Sequence, residues 1–153
     1  ILLEPSSDTI YTLMPDCSLR PFIARTPPIH TMDPEVFLIP RLISNRYYFM
    51  EGIKNVYDFR KEEGFPKTYF VYDTQEKEFS RYIIYNGDYT YKNEFYMVML
   101  TPINAQGESW ATLNAFDLCR DYQKGKLKGK LKEVAATLEE DDNRVVMLVK
   151  SKK

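Results

Sequence analysis

Thr68-Tyr69-Phe70-Val71-Tyr72-Asp73-Thr74-Gln75-Glu76-Lys77-Glu78-Phe79-Ser80-Arg81-Tyr82-Ile83-Ile84-Tyr85 decides the fold class. Thr68 to Tyr72 is a run of β-branched and aromatic residues, which suit a pleated, half-buried surface. Asp73 to Lys77 is a polar turn, and Phe79 to Tyr85 is a second run that pairs back. The same pattern recurs on both sides. Upstream, Asp8 to Leu13 alternates apolar and polar residues, Pro15-Asp16-Cys17-Ser18 supplies a turn, and Leu19 to Ala24 reads as its partner strand. Arg25 to Pro34, with Pro27-Pro28 and Asp33-Pro34, reads as a linker, because proline removes the backbone donor that a helix or a central strand needs. Val36 to Ile39 is an apolar run stopped by Pro40, Leu42 to Ile53 a strand around Arg46-Tyr47-Tyr48-Phe49-Met50, and Asn55 to Lys67 a charged loop. Downstream, Asn86-Gly87-Asp88 reads as a tight turn using positive φ, and Glu94 to Leu100 as a strand closed by Thr101-Pro102.

Past residue 108 the period changes. Trp110 to Gln123 carries Leu113, Phe116 and Cys119 at helical spacing, with Gly125 placed as its C-terminal stop. Leu127, Leu131, Val134 and Leu138 predict an amphipathic helix over Leu127–Glu139 that packs on a sheet face. Val145 to Val149 reads as a closing strand. The expected fold is mainly β: antiparallel, blade-like sheets, two short C-terminal helices and a last strand. The expected organisation is one domain or domain fragment over 1–153, with a first hairpin at 1–25, a main antiparallel sheet at 36–100, and helices plus last strand at 110–150.

Composition narrows the function. The chain has 153 residues, 21 Lys+Arg against 22 Asp+Glu, and a formal charge of -1. A protein that holds nucleic acid by bulk charge needs a clear basic excess, so no nucleic-acid partner is expected. The apolar runs are far shorter than a membrane span. One His and two Cys are too few for most metal centres, and no Gly-rich loop leads into Lys-Ser/Thr, so neither metal nor cofactor is expected. His30 reads as a surface-loop residue. Cys17 and Cys119 read as ordinary small residues, with a bridge between them as the alternative in an oxidising compartment. Lys124, Lys126, Lys128, Lys130 and Lys132 read as a solvated basic run, with contact to an anionic lipid or polymer as the alternative.

Aromatic residues make up 14% of the chain. Tyr89 and Tyr91, placed by alternation on one strand face, and Trp110 form a candidate ligand-binding platform. An aromatic face stacks on a sugar ring while its polar tip hydrogen-bonds, and the competing reading is core packing. The rival from another class is a carbohydrate-active enzyme using Asp88 and Glu94 as paired carboxylates. No catalytic residue is assigned in the main reading, which is a non-enzymatic binding or scaffolding module. A third reading is a structural interaction domain whose open sheet edges pair with a partner or a second copy of the chain.

Three stretches carry a family likeness. Asp8-Thr9-Ile10-Tyr11 followed by Pro15-Asp16-x-x-Leu19-x-Pro21 resembles the outer hairpin of a propeller blade. Ser44-x-Arg46-Tyr47-x-Phe49 followed by Tyr69-Phe70-Val71-Tyr72-Asp73 resembles the next blade. The ending Leu131-Lys132-Glu133, Leu138-Glu139-Glu140-Asp141-Asp142-Asn143 and Val145-Val146-Met147-Leu148-Val149-Lys150 resembles the C-terminus of the NHL-like six-bladed β-propeller proteins of Bacteroides-type gut bacteria. That resemblance implies the C-terminal part of a secreted lipoprotein, an extracytoplasmic location at the periplasm or cell surface, and a glycan or another envelope protein as partner. It supplies no catalytic residues. Two features depart from the family. Arg144 stands where such endings commonly have Pro, and a chain of this length holds two or three repeats of ~40 residues.

Overall fold

The computed structural model describes residues 1–60, 64–104, 106 and 108–150. It is mainly β, with antiparallel sheets and two helices, and no closed barrel forms among the described residues. The strands are β1 (Thr9–Leu13), β2 (Leu19–Ala24), β3 (Val36–Ile43), β4 (Tyr47–Lys54), β5 (Lys67–Asp73), β6 (Glu78–Arg81), β7 (Ile84–Tyr85), β8 (Glu94–Phe95), β9 (Thr101–Pro102), β10 (Ser109–Leu113) and β11 (Val145–Val149). The helices are α1 (Ala115–Gln123) and α2 (Gly129–Ala135). Sheet orders are β1-β2, β3-β4-β5-β6, β7-β8 and β11-β10-β9. The chain divides into two compact units, one of residues 1–40 and 50–70, the other of 41–49 and 71–153.

In the first unit, β1 and β2 pair as a hairpin. Its turn is closed by Met14 N–H to Ser18 O and by the Asp16 carboxylate, which accepts from the Ser18 amide and hydroxyl. Cys17 takes the left-handed conformation, φ 64°, that glycine usually fills in such a turn. Opposite Ile10–Tyr11 the register skips Phe22, so the bulge sits beside Pro21, which has no ladder donor to lose. The stretch expected as a linker is anchored. The Asp8 carboxylate accepts from the Ile29 amide at 2.6 Å, and the Arg25 guanidinium donates to Val36 O. Residues Ile29–Thr31 form a 3-10 turn that buries Ile29 and leaves His30 exposed. On β4, Glu51 is 2% exposed and pairs with Lys67 at 2.9 Å, while a Cβ at Gly52 would meet the Phe70 ring at 2.8 Å.

Several expected boundaries move. Pro40 does not stop its strand, since β3 runs through it to Ile43. An edge strand tolerates proline on its unpaired side, and β3 lies at the edge of its sheet. The long strand expected from Leu42 to Ile53 is broken at Ser44–Arg46, where the Ser44 hydroxyl and the Tyr47 backbone hydrogen-bond in both directions. The strand expected from Phe79 to Tyr85 splits into β6 and β7, which belong to different sheets. Glu94 to Leu100 is not one strand: β8 ends at Phe95, and Met97–Met99 is a 3-10 turn that buries Met97. Trp110 lies on β10, not on a helix.

The second unit has two apolar clusters. Leu42, Met97 and Leu100 gather Phe49, Tyr82, Ile84, Phe95, Ala111, Met147 and Val149 around them. Leu118, Leu127, Leu131 and Ala135 gather Tyr89, Leu113, Leu138 and Val145. The expected helix–sheet packing is thus made by Leu127, Leu131 and Leu138 against Leu113 and Val145. The helix itself is shorter than expected, and Leu127 and Leu138 reach the cluster from beyond its ends.

Candidate functional site

The β10-to-α1 corner builds the site. Asn114 follows β10 in an extended conformation and caps α1, its side-chain oxygen accepting from the Phe116 amide at 3.0 Å. The far end of α1 closes with Gly125 at φ 65°. There the Gly125 amide donates to Tyr122 O and the Lys126 amide to Asp121 O, the paired bonds of a Schellman ending. The side chains of the same two residues also meet, Lys126 Nζ to Asp121 Oδ1 at 3.1 Å. Lys126 is thereby fixed, and its ammonium lies 5.8 Å from the centre of the Tyr91 ring.

The loop carrying Tyr89 and Tyr91 is not a strand with one aromatic face. Tyr89 makes a single antiparallel bridge to Leu127, and Tyr91 sits in a bend. The turn at Asn86–Asp88 does not use positive φ at Gly87. The Asn86 side chain accepts from the Asp88 amide instead, and Asn86 N–H donates to Asn93 O. Thr90 donates through both its amide and its hydroxyl to Lys126 O. The two rings stand 5.5 Å apart at 79°, forming a corner rather than a flat platform. Tyr91 is 48% exposed. Tyr89 is half-buried. Burial, reinforced by the negative charge of Asp121, pushes the Tyr89 phenol up from its ordinary value.

Tyr89 forms one wall of a cleft of about 360 Å³, whose other polar residues are Thr112, Asn114, Asp117 and Arg144 and whose floor is Leu113 and Leu118. That volume lies at the small end of the ~300–1,000 Å³ range of ligand pockets. The β10–β11 register brings these residues together. Leu113 pairs with Val145, so Asn114 and Arg144 both come just past the last pair, next to the outward-facing pair Thr112 and Val146. Trp110 and Leu148 follow on that same outward side, 37% and 62% exposed. Trp110 therefore stands apart from the two tyrosines, about 7 Å along the strand from the cleft residue Thr112. Of the cleft residues, the sequence singled out Tyr89 and left Thr112, Asn114, Asp117 and Arg144 unmarked as site residues. The Asn114-x-x-Asp117 start of α1 was the readable signal.

Asp88 and Glu94 are each held by local structure. Asp88 O accepts from the Lys128 amide and its carboxylate from the Leu131 amide at 3.3 Å, so it caps α2 from outside the helix. Asp88 lines a second groove, of about 260 Å³, beside α2 and β11. Glu94 lies on β8 opposite Tyr85, and its carboxylate accepts from the Tyr96 hydroxyl. Neither cleft is lined by both. Cys17 is exposed and Cys119 buried, both are free thiols, and burial pushes the Cys119 thiol up. Among the described residues no group of three or more His, Cys, Asp or Glu could hold a metal ion, and no helix is long and apolar enough to cross a membrane. No protein-family model, curated protein or solved structure matches the chain.

Proposed function

We propose that the chain is a non-enzymatic binding module that takes a glycan in the Tyr89 cleft, within a propeller-type protein of the cell envelope. The observation that carries the binding reading is the cleft itself. One aromatic wall and four hydrogen-bonding side chains converge over an apolar floor, on residues fixed by a helix cap and a strand ladder. Sugars ask for that combination, an apolar ring face beside a ring of hydroxyls. The single outward-facing Trp110 further along β10 offers a second stacking point for a longer chain. The propeller reading draws support from β3-β4-β5-β6, four strands in sequential order, which is the plan of a propeller blade. The envelope location and the lipoprotein character rest on the family resemblance of the C-terminal stretch.

Thr112→Tyr tests the cleft. The position is exposed and lies on a strand, so an aromatic side chain suits it, and the added ring fills the space beside Tyr89. Binding of soluble oligosaccharides by the wild-type chain, followed by NMR titration, is expected to be lost in this variant while thermal stability is kept. Equal binding by both proteins would place the ligand elsewhere.

A further inference from the structure

We infer that the ligand of this cleft is an acidic sugar, one bearing a carboxylate such as a uronic acid, and that Arg144 is the residue that selects it. The inference rests on the glycan-binding reading and specifies its substrate class.

The two acids of α1 beside the cleft are both paired, while the one cation of its lining is not, among the described residues. Asp117 is paired with Arg120 at 2.9 Å. Asp121 is paired with Lys126 at 3.1 Å and lies 3.9 Å from Arg120 Nε. Two carboxylates thus meet two cations. Arg144 remains, and among the described residues it makes no ion pair. Asp142, the nearest acid along the chain, accepts from the Glu139 amide instead. The cleft lining therefore presents one guanidinium that no carboxylate among the described residues pairs, although Glu139, Glu140, Asp141 and Asp142 precede it in the chain. A guanidinium is planar, permanently charged and suited to two parallel hydrogen bonds to a carboxylate.

The rest of the lining accommodates the remainder of such a sugar. Tyr89 offers a ring, and Asn114, whose side-chain oxygen caps α1, keeps its amide N–H groups as donors. The Thr112 hydroxyl and the Asp117 oxygen not paired with Arg120 take up sugar hydroxyls. Arg144 lines the same cleft as Tyr89 and Asn114, so a carboxylate held on its guanidinium keeps the attached ring beside them.

The test compares methyl glucuronide and methyl galacturonide with methyl glucoside and methyl galactoside, by NMR titration at low salt. Each pair differs only in carboxylate against hydroxymethyl. Wild type is expected to bind the uronides roughly 10-fold more tightly, the worth of one charge-assisted pair. Arg144→Gln brings the uronides down to the level of the neutral sugars, and Arg144→Lys recovers part of the difference. Lys132→Gln, which removes an equal charge from α2 outside the cleft, keeps the preference. Equal binding of uronides and neutral sugars by wild type overturns the acidic-sugar inference and leaves the glycan reading standing. A preference that survives Arg144→Gln overturns the role of Arg144. Binding of none of the four sugars overturns both.

Discussion

Asp73 shows what one side chain does here. One carboxylate oxygen accepts from Arg46 Nε and Nη2 at 3.0 and 2.8 Å, and the other from the amides of Gln75 and Glu76. Hydrogen bonding from Arg46 is the main cause that holds the Asp73 pKa below the usual carboxylate range; desolvation opposes it, and the two amides add to the lowering. A depressed folded value makes the stabilisation fully present above the unfolded carboxylate pKa, ~3.9, and removes it as pH falls through the folded value. Asp73→Asn is therefore expected to be less stable at neutral pH and to lose less stability on acidification below pH ~4 than wild type, read from urea midpoints at each pH. The sequence made this turn visible through Asp73-Thr74-Gln75-Glu76. It hid the Arg46 partner, 27 residues back, because only strand pairing sets that distance. Trp110 is the opposite case. The spacing of Leu113 and Phe116 suggested a helix through it, but that spacing straddles Asn114, where a strand residue and a helix residue become neighbours in the period count.

At the scale of elements, legibility followed locality. The β1–β2 hairpin and the Gly125 stop are written in a few adjacent residues, and both stand where their residues suggest. Helix α2 is shorter than its apolar spacing because its start is set from outside. Gly129 opens it at φ 58°, and a Cβ there would lie 2.6 Å from Asp88 Oδ1. Gly129→Ala combines left-handed strain with a clash against the capping carboxylate. A loss of about 1–3 kcal/mol is expected, measured by chemical unfolding. The cleft was the least legible feature. Its residues come from 89, from 112–118 and from 144, and they converge only because Leu113 pairs with Val145.

For the chain as a whole, high aromatic content and alternating strand patterns pointed to a mainly β architecture, and the sheets bear that out. The same composition leaves a cost. Strand β11 is an edge strand of five uncharged residues, with Val146 59% exposed. Uncovered edges of this kind template pairing between molecules, and a lysine on the outward side blocks it. Val146→Lys is expected to reduce aggregation during refolding, followed by light scattering, with little change in unfolding midpoint because the side chain already faces solvent.

Asp88 joins two parts of the second unit that would otherwise order independently. It shapes the loop that presents Tyr89, and it supplies the acceptors for the Lys128 and Leu131 amides at the start of α2. Fraying of the helix and loosening of the loop are then one opening event rather than two. A molecule that holds Tyr89 in place removes that event from both, by RT ln(1 + [L]/Kd). The amide of Leu131, which no ligand in the Tyr89 cleft needs to touch, becomes a built-in reporter whose exchange with solvent slows in proportion to occupancy.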